Sequence, residues 1–230
     1  MNEFLFTPAA PACLPIAGSG RQFPVHRIYC VGRNFAEHAK EMGAEVSRGA
    51  PVFFMKPADA VVAPGRAIPY PTQTNDLHHA VELVVALGQD ANGVVTVEQA
   101  HELIFGYGVG LDLTRRDLQA QAKEKRLPWD TAKGFDHSAP MSALVPAGDI
   151  TGLSDRRLWL EVNGTLRQQA LLSEMVFGVE EILHELSRLY ALKAGDLVFM
   201  GTPAGVAALQ SGDAFRAGVD GVVEFAGSIQ

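Results

Sequence analysis

Residues 157–168 read RLWLEVNGTLRQ, and this stretch decides the fold class. Alternating flanks surround Asn163-Gly164, a pair suited to the positive φ angles of a type I′ turn, so the stretch predicts an antiparallel hairpin. Downstream, GVEEILHELSRLYAL (178–192) spaces Val179, Ile182, Leu183, Leu186 and Leu189 along one face of a helix. That stripe is read as core packing. LVFM (197–200) is a strand running into GTPAG (201–205), and the last twenty residues form a second hairpin around Asp220-Gly221. Upstream, strands are expected at 27–31, closing at Gly32, over PVFFMKP (51–57) as a buried strand closed by Pro57, and over VELVVALG (81–88). Helices are expected at 34–42, stopped by Gly43, and at 115–126, with Thr114 as N-cap and Asp117 in the first turn. The regular strand–helix alternation of a doubly wound sheet is absent. The expected class is α+β, strand-rich, with a few short helices.

The chain has 230 residues, of which 47% are hydrophobic and 20% charged, enough to bury a sizeable core. No linker or repeat divides it, so we expect a short N-terminal arm over 1–24 and one domain over 25–230. The net charge of −7 argues against a nucleic-acid partner, which calls for a basic stripe. Apolar runs such as 83–87 are far too short to span a membrane, and no basic residue precedes Arg21, as a secretory signal would need. Two cysteines, Cys13 and Cys30, make neither a disulfide framework nor a zinc signature. A cytoplasmic location is expected.

Several motifs fail. No phosphate-binding loop, no GxSxG elbow and no HExxH is present, and GYGVG (106–110) lacks the third glycine of a dinucleotide fingerprint. Three segments carry chemistry. In DLHHAVELVV (76–85) strand alternation points His78, position 80 and Glu82 one way, and His79, Val81 and Leu83 the other. Glu82, and Asp112 at the end of an apolar stretch, are acids in apolar strands. They suit either a hard-cation site or a paired structural role. In NFAEHAKEMG (34–43), His38 and Glu41 share a helix face, as a water-activating base and its orienting carboxylate would, or as a solvated surface pair. Lys133 is either an electrophilic lysine or a surface charge.

Taken in order, IYCVGRNFAEHAKEMG, PVFFMKPADAVV, DLHHAVEL, GYGVGLDLTRRDLQ, LPWDTAKGFD, LWLEVNG and GDLVFMGTPAGV resemble the fumarylacetoacetate hydrolase family, in its short acylpyruvase and fumarylpyruvate hydrolase branch. The resemblance spans about residues 28–206. It implies a β-sandwich-like core, a homodimer, and a hydrolase of aromatic-compound catabolism that cleaves a carbon–carbon bond in a small diketo acid. It implies Mg²⁺ or Mn²⁺ held by carboxylates at position 80, Glu82 and Asp112. It carries His38 and Glu41 onto a lid helix, makes Lys133 catalytic, and places Arg33, Arg116, Gln119 and Thr202 around substrate. His79 and His137 receive no role.

Position 80 is alanine where the family pattern has glutamate, and alanine cannot coordinate a metal. An introduced, inactivating substitution and a natural loss of metal binding both remain open; the otherwise intact motif set favours the first. Within the family, an oxaloacetate decarboxylase or a diketo-acid isomerase is the alternative. Outside it, a catalytically dead diketo-acid-binding protein is the rival.

Overall fold

In a computed structural model, residues 4–41 and 49–230 are described. The main sheet has six strands, in the order Val145–Pro146, Ile104–Leu111, Val81–Leu87, Leu197–Phe199, Ile28–Gly32 and Val52–Lys56. Its pairs are antiparallel except Leu197–Phe199 with Ile28–Gly32. A second, antiparallel sheet runs Thr165–Leu171, Arg157–Val162, Ala214–Val219, Val223–Ser228.

Val81–Leu87 is buried on both faces. One face presents Val81, Leu83, Val85 and Leu87 to a core shared with Leu158, Leu160, Phe215 and Ala217 of the second sheet. The other presents Val84 and Ala86 to a smaller core with Cys30, Phe199 and Met141. Each buried aliphatic side chain contributes about 1.5–3 kcal/mol. The helix Val179–Leu189 adds Val179, Ile182, Leu183 and Leu186 to the larger core. The strand-rich α+β sandwich expected from the sequence is the architecture found.

The hairpin forms as read: Val162 pairs with Thr165, and Asn163 and Gly164 have φ of 51° and 74°. The terminal hairpin pairs Val219 with Val223. The GYGVG glycines lie in a strand, not a loop, and serve close packing. A Cβ on Gly110 would meet the Phe199 ring at 2.5 Å, and one on Gly106 the Val145 carbonyl oxygen at 2.2 Å. Cys13–Pro15 and Gln22–Pro24 pair as a small hairpin that gives Leu14 and Phe23 to the smaller core.

Three local expectations are corrected. PVFFMKP is an edge strand, so Val52 and Met55 stay partly exposed while Lys56 is buried. Thr114 does not cap a helix: pairing of Leu77 with Arg115 keeps it in a short strand, and the helix runs Arg116–Lys125 after Arg115. Leu189 is 63% exposed because the helix ends there; Tyr190 turns into the core instead, 5.0 Å from the Tyr29 ring. The first helix is Ala36–Glu41, and its expected stop at Gly43 lies outside the described residues.

Candidate active site

The ends of Ile28–Gly32, Val81–Leu87 and Ile104–Leu111, with the helices Ala36–Glu41, Arg116–Lys125 and Asp130–Lys133, enclose one cavity. Arg33, His38, Ala80, Glu82, Asp112, Arg116, Gln119, Lys133 and Thr202 all line it. Glu41 stands behind His38: its Oε2 lies 3.2 Å from His38 Nδ1. Every residue given a metal, catalytic or substrate role from the sequence therefore falls at this place or one contact from it.

Asp112 is the centre of the charge arrangement. It is buried, and Lys133 Nζ donates to its Oδ2 and, at 2.7 Å, to Thr114 Oγ1. Lys56 Nζ lies 2.9 Å from Asp112 Oδ1, an ion pair without hydrogen-bond alignment. The same ammonium donates to the carbonyls of Leu113 at 3.1 Å and Lys133 at 2.5 Å. Burial pushes the Asp112 carboxyl up, but Lys133 and Lys56 outweigh it and hold it below the usual range. Burial lowers Lys133, and the attraction of Asp112 only partly offsets this. Glu82 is raised well above the carboxyl range by burial and by Asp112; it accepts the Gly201 N–H at 2.7 Å.

His38 is lowered by burial, with Glu41 opposing. A carboxylate only accepts, so His38 carries its proton on Nδ1 and leaves Nε2 as a lone pair. Glu41 also accepts the Gly205 N–H at 3.1 and 3.2 Å, tying the helix to the GTPAG loop. Arg116 donates to Gln119 Oε1 at 2.6 Å and to His78 Nδ1 at 3.3 Å.

Sequence reasoning missed the supporting groups. Lys56 had a signal, a lysine inside an apolar strand, since a buried ammonium demands partners. Gln168 had none. Its amide accepts from Val81 N at 3.1 Å and sits 2.9 Å from His79 Nδ1, while its Nε2 donates to Thr202 Oγ1 and Pro203 O at 2.8 Å each. Asn34, fully buried, joins Phe177 to Met200. His79 is thus a structural group, pushed by burial down to about 4. His137 lies apart, beside a different recess with Cys13.

The fumarylacetoacetate hydrolase C-terminal domain model matches residues 27–230. The chain belongs to the fumarylacetoacetate hydrolase family. The mitochondrial oxaloacetate tautomerase of Rattus norvegicus is 44% identical over 196 residues, 85% of this chain and 88% of that one. The oxaloacetate tautomerase of Escherichia coli (strain K12) is 41% identical over 205 residues, 89% and 93% of the two chains. The fumarylpyruvate hydrolase of Pseudomonas aeruginosa, whose crystal structure holds Mn²⁺ and pyruvate, superposes with a TM-score of 0.93 at 44% identity, covering 99% of each chain.

For a member of the fumarylacetoacetate hydrolase family, the donor set for a metal is short. Position 80 offers a methyl group, and both oxygens of Asp112 face ammonium groups. Among the described residues, no group of three or more His, Cys, Asp or Glu is arranged to hold a metal ion. The residues present do not fit a resident divalent cation. No helix of the described residues is long and apolar enough to cross a membrane.

Proposed function

We propose that the chain is an enzyme of short oxo dicarboxylic acids that works through their enolates, and that it hydrolyses the carbon–carbon bond of a 3-acylpyruvate such as fumarylpyruvate or maleylpyruvate. The observation that carries this reading is the His38–Glu41 pair at the rim of a cavity with a buried lysine, Lys133. His38 Nε2 takes a proton from water. The hydroxide adds to the distal acyl carbonyl, and the bond from that carbon to C3 of the pyruvyl unit breaks. The electron pair stays on the pyruvate enolate, which then takes up a proton to give pyruvate beside fumarate or maleate. Lys133 supplies positive charge beside the enolate oxygen, where a preformed cation is worth most. Arg116, held by Gln119, and Arg33 suit the far carboxylate, and the Thr202 hydroxyl offers a further contact to substrate.

A second reading is keto–enol conversion or decarboxylation of oxaloacetate, and the curated relatives support it more directly than the first. The same groups serve it: His38 moves the C3 proton, and Lys133 faces the enolate. Residues 25–230 are the catalytic unit in both readings. A cytoplasmic homodimer is part of the proposal, supported by the family resemblance and the sequence composition.

The test gives the purified chain fumarylpyruvate and, separately, oxaloacetate. Pyruvate with fumarate supports the first reading. Faster enol–keto equilibration or CO₂ release supports the second. No acceleration of either overturns both and leaves a binding protein.

A further inference from the structure

The charges around the cavity run against a cation site. Four cationic side chains, Arg33, Arg116, Lys123 and Lys133, line it against two carboxyls, Glu82 and Asp112. Lys56 lies directly behind Asp112, so that carboxylate is already matched twice. Glu82 is turned to the Gly201 N–H. A divalent ion entering here would meet fixed ammonium groups on Asp112, where it needs unmatched oxygen ligands. A dianion meets the reverse: the guanidinium groups of Arg33 and Arg116 and the ammonium groups of Lys123 and Lys133 line one partly water-excluded recess and outnumber its two carboxyls.

Position 80 is the point at which this balance turns. Ala80 is 3% exposed and lines the same cavity. Its carbonyl accepts the Asp112 N–H at 2.8 Å, which fixes its backbone beside that carboxylate. Strand alternation sets it on the face of Glu82. A carboxylate reaching from here would add a third oxygen ligand group and offset one lysine.

We infer that this cavity binds a dicarboxylate dianion directly, without a divalent ion, and that the side chain at position 80 decides between direct anion binding and metal binding. The inference takes only its ligand class from the proposed function. The experiment titrates the unaltered chain and Ala80→Glu with Mn²⁺, following free Mn²⁺ by electron paramagnetic resonance. It then titrates both with malonate by calorimetry, with chelator and with Mn²⁺.

The unaltered chain should show no saturable Mn²⁺ site at micromolar ion, and the same malonate affinity in chelator and in Mn²⁺. Ala80→Glu should bind Mn²⁺ at least ~10-fold more tightly, since even outer partners of a metal ligand move affinity by that much. Its malonate binding should then depend on Mn²⁺. Stoichiometric micromolar Mn²⁺ binding by the unaltered chain, or malonate binding that vanishes in chelator, overturns the inference, and neither result needs the variant to fold. Both would leave the proposed enolate chemistry standing. Conversely, malonate binding without turnover would sink that chemistry and leave this inference intact.

Discussion

Lys133 and Lys56 touch the same carboxylate but differ in what they hold. Lys56 also ties the carbonyls of Leu113 and Lys133, so it fixes the backbone on both sides of the site. Lys56→Met leaves those acceptors and Asp112 Oδ1 unmatched. Losing one partner of a buried pair costs about 3–5 kcal/mol, and urea denaturation should register a loss of that size. Lys133→Met leaves Asp112 Oδ2 and Thr114 Oγ1 without their donor, so it should lower stability as well as turnover. His38→Ala should cut turnover by roughly 10²–10⁴-fold, the usual span for a general base, with an unchanged melting curve. Because burial lowers His38 from 6.5, the acid limb of kcat/KM should lie below that pH and disappear in the variant. His79 acts on stability instead. Its folded value near 4 lies below the unfolded 6.5, so the unfolded chain binds the proton first. Stability should therefore fall as pH drops from 6.5 towards 4, by roughly 3 kcal/mol at the lower end. His79→Gln should flatten that slope in pH-dependent denaturation.

At the scale of elements, legibility followed locality. The 157–171 hairpin and the Val179–Leu189 helix were readable because turn chemistry and helical spacing act within a few residues. Leu77–His78 and Thr114–Arg115 were not, because each is a strand only through pairing with a distant one. That pairing also took Thr114 from its expected capping role. The edge position of Val52–Lys56 was invisible for the same reason: strand order belongs to the sheet. The candidate site was legible as a set of residues, since all but Glu41 line one cavity. Its supports were not, because Gln168 and Asn34 act through backbone groups far away in the chain. The packing role of the Ile104–Leu111 glycines makes a direct prediction. Gly110→Ala would press a methyl group onto Phe199, and such overpacking costs about 1–3 kcal/mol. A drop of that size should appear in thermal or urea unfolding.

Across the whole molecule, an acidic chain carries a locally cationic cavity. The net charge of −7 keeps the surface unattractive to polyanions, while Arg33, Arg116, Lys123 and Lys133 make one recess receptive to a small diacid. Both sheets meet at the larger core, and the strand that forms the middle of that core ends at position 80 and Glu82. Fold and site are therefore joined through Val81–Leu87. Under the proposed function this cavity makes and holds an enolate with His38 and Lys133. The most direct test measures pyruvate release from fumarylpyruvate and keto–enol conversion of oxaloacetate by the unaltered chain, His38→Ala and Lys133→Met. The proposed function predicts that the unaltered chain accelerates at least one reaction, and that each substitution removes the acceleration while the melting curve of His38→Ala is preserved. Acceleration of neither, or acceleration that survives both substitutions, would contradict it.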